Sequence, residues 1–144
     1  MFTGEVRHQL DTKNRIRIPA KFKNELGEDF VFMKGFQCVC VYPREVFEKV
    51  VKEEIYTKFD RFSKQSSVNL RRILSAIETP TPDEQGRILL SKSLREYAGI
   101  SKNVVTVGVL DHLEIMAEEV ADDAQDNGEE AYEELMKYFS KSEG

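Results

Sequence analysis

Asp11-Thr-Lys-Asn-Arg15-Ile-Arg-Ile-Pro19 returns 72 residues later as Asp83-Glu-Gln-Gly-Arg87-Ile-Leu-Leu-Ser91. Each copy is an acid, two variable residues, a turn former, an arginine, and then a short apolar run leading into a helix start. A repeat at a fixed offset constrains architecture more than any single-residue motif does. It implies two copies of one small module, each presenting an arginine on a tight turn.

Reading outward from the first copy, Val6, His8 and Leu10 alternate with Glu5, Arg7 and Gln9, as in a strand with one buried face. Asp11 can accept hydrogen bonds from backbone amides just beyond it, and Asn14 tolerates positive φ, so 11–14 is a turn. Ile16 and Ile18 alternate with Arg15 and Arg17, which predicts a return strand facing the first, with both arginines on one side. Pro19 suits the first turn of a helix over 20–26, closed by Gly27. Strands follow at 30–33 and 38–42. The second copy keeps this order: an extended 79–82, a turn, and a strand from Arg87. Ser91 then caps a helix stopped by Gly99, and strands follow at 104–107 and 112–116.

Between the copies, Val46, Phe47, Val50, Val51 and Ile55 form a helical stripe over 44–59, and a shorter helix spans 66–76. The run 117–139 is acidic, with a break expected at 122–128 and a packing face only at Tyr132, Leu135, Met136 and Phe139. The resulting organisation is a first module at 5–47, connecting helices at 48–75, a second module at 76–119 and an acidic helical segment at 120–144.

At 144 residues the chain is one compact domain or two half-size modules sharing a core. Modules of roughly 50–70 residues sit near the lower limit for a self-supporting core, so each needs the other or another chain. The net charge of −5 conceals a gradient. Residues 1–23 carry six basic side chains against two acidic ones, whereas 111–144 carry twelve acids against Lys137 and Lys141. The N-terminal module is therefore the candidate for an anionic ligand. No apolar run approaches the ~20 residues that span a bilayer, and the N-terminus lacks the apolar core of a signal peptide, so a cytoplasmic location is expected.

Chemistry-bearing motifs are sparse. Neither a phosphate-binding glycine loop nor a nucleophile with a plausible His/Asp constellation is present, so an enzyme is not expected. Asp111, His112 and Glu114 form an acid–histidine group, but His112 lies in an apolar strand pattern and reads as a packed or turn-bonding residue. Cys38 and Cys40 would share one face of a strand, poorly placed for a disulfide, and read as reduced. As metal ligands they lack local partners, so no metal, cofactor or small-molecule substrate is expected.

The repeated turn has two readings. In one, Asp11 pairs with Arg15 and Asp83 with Arg87 only to brace the backbone; exposed pairs of this kind stabilise by about 0–1 kcal/mol. In the other, Arg15 offers a planar donor fork to an anion. Lys13 and Arg17 lie beside it, Arg7 is on the facing strand, and Lys21 and Lys23 are on the helix. A two-stranded ribbon can enter the DNA major groove, where arginine to guanine is the commonest specific contact.

Met1-Phe-Thr-Gly4, Leu10-Asp-Thr-Lys-Asn-Arg-Ile-Arg-Ile-Pro19, Asp83-Glu-Gln-Gly-Arg-Ile-Leu-Leu90 and Gly108-Val-Leu-Asp-His-Leu-Glu-Ile-Met116 together resemble the MraZ family of bacterial transcription regulators, from the first residue to about 120. The resemblance implies an α+β fold, mainly β with helices. Two tandem AbrB-like swapped-hairpin modules would pack as a pseudo-symmetric barrel, with connecting helices and a C-terminal helix. It also implies a ring-shaped homo-oligomer, nucleoid-associated, that binds double-stranded DNA at direct repeats upstream of its own gene, which heads a division and cell-wall cluster. The Asp-x-x-x-Arg turn is the family's DNA-reading element, which here means Asp11 and Arg15, with Lys13, Asn14, Arg17 and Arg7 around them, and by repeat Asp83 and Arg87. Asn14 stands where the family often has Gly, and Ser91 where the first copy has Pro19. An antitoxin-like interaction module is the alternative, since AbrB-type hairpins also serve there; such antitoxins usually carry one hairpin copy.

Overall fold

The computed structural model describes residues 1–126 and 128–142, the side chains of 141 and 142 excepted. Its elements are β1 (Glu5–Gln9), β2 (Arg15–Arg17), α1 (Ala20–Leu26), β3 (Phe30–Lys34), β4 (Val39–Pro43), α2 (Arg44–Val50), α3 (Lys64–Ser75), β5 (Arg87–Leu89), α4 (Lys92–Ala98), β6 (Asn103–Val109), β7 (His112–Ala117), α5 (Glu118–Asp126) and α6 (Gly128–Ser142). The fold is mixed α+β, built on an antiparallel five-stranded sheet in the order β1-β6-β7-β4-β3, with β2 and β5 forming a separate two-stranded ribbon.

The pairing interleaves the two halves of the chain. β1 pairs with β6, with His8 opposite Val104, and β4 pairs with β7, with Cys40 opposite Glu114. Phe32 on β3 exchanges both backbone hydrogen bonds with Glu78, at 2.8 and 3.0 Å. Ribbon strand β2 pairs with β5. The expectation of a local hairpin between 5–10 and 15–18 therefore fails. β1 and β2 form no ladder with each other among the described residues; each takes its partner from the other repeat. The expected pseudo-symmetric barrel does not close among the described residues. β2 and β5 pair only with each other, so the five-stranded sheet keeps two ends, β1 and β3.

Strand alternation splits the core in two. Phe30, Phe32, Val39, Val41, Leu113 and Ile115 face one way, onto Ile16 and Ile88 of the ribbon, Phe22 and Leu26 of α1, and Leu94 and Ala98 of α4. Val31, Cys38, Cys40 and Tyr42 face the other way, onto Val46, Phe47 and Val50 from the segment after β4. Burying side chains such as Phe22, Phe32 and Leu94 contributes about 1.5–3 kcal/mol each, which offsets the ordering of the backbone that carries them.

Helices α1 and α4 fall where the punctuation predicts. Gly27 and Gly99 end them at φ of 75° and 66°, and the Ser91 hydroxyl accepts the Leu94 N–H at 3.3 Å. The helix expected over 44–59 is instead broken. α2 stops at Val50, a π-helical turn follows over Val51–Ile55 and a 3₁₀ turn over Tyr56–Lys58. Of its stripe, none of the residues is fully buried, so little tertiary packing enforces regular α geometry. α3 starts two residues earlier than expected, capped by Ser63, whose hydroxyl accepts the Ser66 N–H. Residues 122–126 of the expected break at 122–128 are helical, as part of α5; residue 127 lies outside the described residues, as do 143 and 144. No helix of the described residues is long and apolar enough to cross a membrane.

Candidate nucleic-acid interface

The two repeated turns have the same internal wiring. Asp11 Oδ1 accepts the backbone N–H groups of Lys13 and Arg15, both at 2.9 Å, and its Oδ2 accepts Nε of Arg15 at 2.8 Å. Asp83 Oδ1 accepts those of Gln85 and Arg87, both at 2.9 Å, and its Oδ2 accepts Nε of Arg87 at 2.7 Å. One carboxylate oxygen thus shapes the backbone while the other aims a guanidinium. Both carboxylates are held below the usual range, first by the N–H of their own arginine and then by the remaining donors of the turn. The fourth position needs left-handed backbone in both copies: Asn14 has φ 61° and Gly86 φ 76°.

The ribbon sets the turns side by side. Ile16 pairs with Ile88, both about 1% exposed, and anchors the ribbon to the core. On the opposite face Arg17 is directly across from Arg87, and Arg15 is across from Leu89, which is 60% exposed. Arg15 Nη1 lies 3.9 Å from Asp83 Oδ2, linking the two turns. Like charges directly opposed across a strand pair are unfavourable. Three guanidiniums on one outward ribbon face are therefore not explained by the ribbon's own stability.

Of the sequence-predicted residues, Asp11, Lys13, Asn14, Arg15, Arg17, Asp83 and Arg87 are brought together on this ribbon and its turns. Arg7 is not. It alternates out of phase with Val6 and His8 and leaves the sheet on the face covered by α5, where Glu118 at 3.5 Å and Asp122 at 2.9 Å hold it. The missing signal is pairing: with β1 bonded to β6 instead of β2, its charged side chains do not join those of the ribbon.

One residue gains a place that spacing alone does not give it. The second turn carries no lysine of its own, but Lys23 of α1 approaches it, with Nζ 3.8 Å from where a Cβ on Gly86 would stand. Lys23 and Arg17 share the wall of a groove of about 750 Å³ with Pro82, Gln85 and Gly86.

A second cluster lies on the sheet's other face. There His112 Nε2 is 2.9 Å from Glu114 Oε2, Nδ1 is 2.8 Å from Asp111 Oδ1, and the ring stacks on Tyr42 at 4.5 Å. The hydrogen bond from His112 holds Glu114 below the usual carboxylate range. The β4–β7 register places Cys40 opposite Glu114, a convergence invisible to a scan for local ligand spacing.

Comparison with known proteins gives one consistent result. A family model described as "MraZ protein, putative antitoxin-like" matches residues 1–71 and 73–136. A protein of Syntrophomonas wolfei named "Transcriptional regulator MraZ" is 40% identical over 138 residues, 95% of each chain. Proteins of the same name from Natranaerobius thermophilus and Clostridium tetani are 38% and 36% identical, covering 95% and 98% of each chain.

Proposed function

The chain belongs to the MraZ family, and we propose that it is a transcriptional regulator that binds double-stranded DNA sequence-specifically through the outward face of the β2–β5 ribbon. The observation that carries this reading is the opposition of Arg17 and Arg87 above the buried Ile16–Ile88 pair. A face of three arginines with a lysine at the tip of the first turn calls for a polyanion. A two-stranded ribbon fits the major groove. Arg15 and Arg87 have Nε committed to a carboxylate, which fixes the planes of their guanidiniums and leaves Nη groups to donate to guanine O6 and N7. Lys13 and Arg17 serve the phosphates, as does Lys23 beside the second turn.

The interleaved pairing supports reading the two repeats as AbrB-like swapped hairpins fused in one chain. Single ribbons of modest charge bind DNA weakly, so a ring of copies engaging direct repeats upstream of the chain's own gene completes the proposal. Linked contacts gain on the order of 10²–10⁴ in avidity when geometry lets them bind together. Exposed Tyr132, Leu135 and Met136 on α6, spaced along one helical face, supply apolar surface for such assembly. The acidic helices belong away from the DNA, consistent with Glu118 and Asp122 lying against Arg7.

The test is a fluorescence anisotropy titration of the full chain on duplex from upstream of its own gene, against shuffled duplex, over a range of salt. Arg15→Ala should abolish the preference for the native sequence and flatten the salt dependence while leaving assembly size unchanged. Equal binding by parent and variant would remove the turn from the DNA interface.

A further inference from the structure

Cys38 and Cys40 are about 1% and 6% exposed, both carry free thiols, and their Sγ atoms lie 4.0 Å apart at the start of β4, Cys38 immediately preceding it. The two sulfurs and a carboxylate oxygen of Glu114 all fall within 4.8 Å of one another. Zinc–sulfur bonds of about 2.3 Å at a tetrahedral angle require sulfurs roughly 3.8 Å apart, close to the spacing found. His112, on the same face of β7 as Glu114, lies outside that trio; with its Nε2 2.9 Å from Glu114 Oε2 it is the candidate fourth donor. Asp111 on Nδ1 of the same ring reproduces the carboxylate–histidine arrangement that orients metal-ligating imidazoles.

Gly35 packs against the two sulfurs. A Cβ there would stand 2.5 Å from Cys40 Sγ and 2.8 Å from Cys38 Sγ, so no side chain can cap them. The surroundings, Val31, Tyr42, Met33 and Phe47, are apolar and favour retention of a bound ion. The Glu114 and His112 side chains remain 28% and 13% exposed, giving an entry path. Hydrogen bonding among these groups accounts for their contacts, but not for two buried thiols and a carboxylate converging beneath a glycine with an imidazole bonded to that carboxylate.

We propose that Cys38, Cys40, Glu114 and His112 form a site for one zinc-type divalent cation. Thiolate sulfur with imidazole nitrogen and carboxylate oxygen in tetrahedral number suits Zn(II) over the hard cations calcium and magnesium. Binding releases both thiol protons, and the ion replaces the proton between Nε2 and Glu114. β4 comes from the first repeat and β7 from the second, so the ion would fasten the seam where the two repeats meet in the sheet.

The test uses the reduced full chain with Co(II) as a spectroscopic probe and Zn(II) as competitor. Expected are one equivalent bound, thiolate-to-cobalt charge transfer in the near ultraviolet, tetrahedral ligand-field bands, and displacement by one equivalent of Zn(II). Glu114→Gln and His112→Asn should each weaken Zn(II) binding at least tenfold. Cys40→Ser should remove much of the charge-transfer intensity with the circular dichroism spectrum retained. No charge-transfer band in the parent chain overturns the proposal, even if a cysteine variant fails to fold. So does Zn(II) affinity unchanged in Glu114→Gln and His112→Asn, or closure of the two thiols to a disulfide in air while added Zn(II) leaves their oxidation rate unchanged.

Discussion

Asp83 belongs to the second turn, yet its Oδ2 lies 3.9 Å from Nη1 of Arg15 in the first. The same oxygen binds Nε of its own Arg87 at 2.7 Å, so a single carboxylate governs two guanidiniums. Asp83→Asn keeps an oxygen for the backbone N–H groups but removes that charge. Affinity for shuffled duplex should rise and its salt dependence steepen, while discrimination in favour of the native sequence falls roughly five- to tenfold. Unchanged discrimination would show that the cross-turn contact has no part in aiming Arg15.

Arg15→Lys separates charge from shape. Lysine retains the cation but lacks the planar fork and cannot be held through Nε. Specific affinity should fall roughly 10- to 100-fold, with binding to shuffled duplex within about twofold of the parent. Electrophoretic mobility shifts on both duplexes give the comparison.

Arg7→Ala should leave DNA affinity within about twofold, because Glu118 and Asp122 already occupy that guanidinium on the far face of the sheet. Its effect belongs to α5, whose amides should exchange faster in hydrogen–deuterium exchange. A large loss of DNA affinity would return Arg7 to the interface.

Ile16 and Ile88 point inward from β2 and β5 and anchor the ribbon to the core, each about 1% exposed. Ile88→Ala should cost about 2–5 kcal/mol in urea denaturation, and Ile16→Ala a similar amount. Since the two side chains pair across the ribbon, the double variant should cost less than the sum.

His8 supplies a pH dependence. Burial lowers its pKa below 6.5, and its Nε2 is hydrogen-bonded to the fully buried Thr106 Oγ1 at 2.7 Å. A depressed folded pKa contributes stability that is complete above the unfolded value, about 6.5, and is lost as pH falls toward the folded one. His112 is opposite in sign. Burial pulls it down, but hydrogen bonds with Cys40, Glu114 and Asp111 outweigh this and push it up to about 10. Its contribution is complete below about 6.5 and lost as pH rises through 10. Between pH 7.5 and 5.5, the parent should therefore lose urea resistance relative to His8→Asn; parallel curves would rule out a titrating His8.

Local features of this fold were legible in the sequence because their causes are local. Asp11 and Asp83 cap turns through amides two and four residues on, and Pro19, Ser91, Gly27 and Gly99 bound α1 and α4 by backbone preference alone. The partners of the strands were not legible, since His8 opposite Val104 and Cys40 opposite Glu114 are set by the tertiary core. The misplacement of Arg7 follows from that, whereas the broken helix after β4 and the early start of α3 have local causes. Adjacency in sequence puts β1 beside β2 and Arg7 with the ribbon, and local spacing gives the thiols no partner, because Glu114 lies 74 residues beyond Cys40. Arg15 and Arg17 stay together because β2 carries its own turn, and Arg87 joins them through the β2–β5 pairing.

The bonding of β1 to β6 also dictates a timetable for synthesis. An N-terminal segment whose ladder partner is encoded about a hundred residues later must wait, unpaired, for most of translation. Nascent chains will hold an open strand edge until residues 103–109 clear the ribosome, and refolding should be slow for so small a protein, limited by the search for distant contacts.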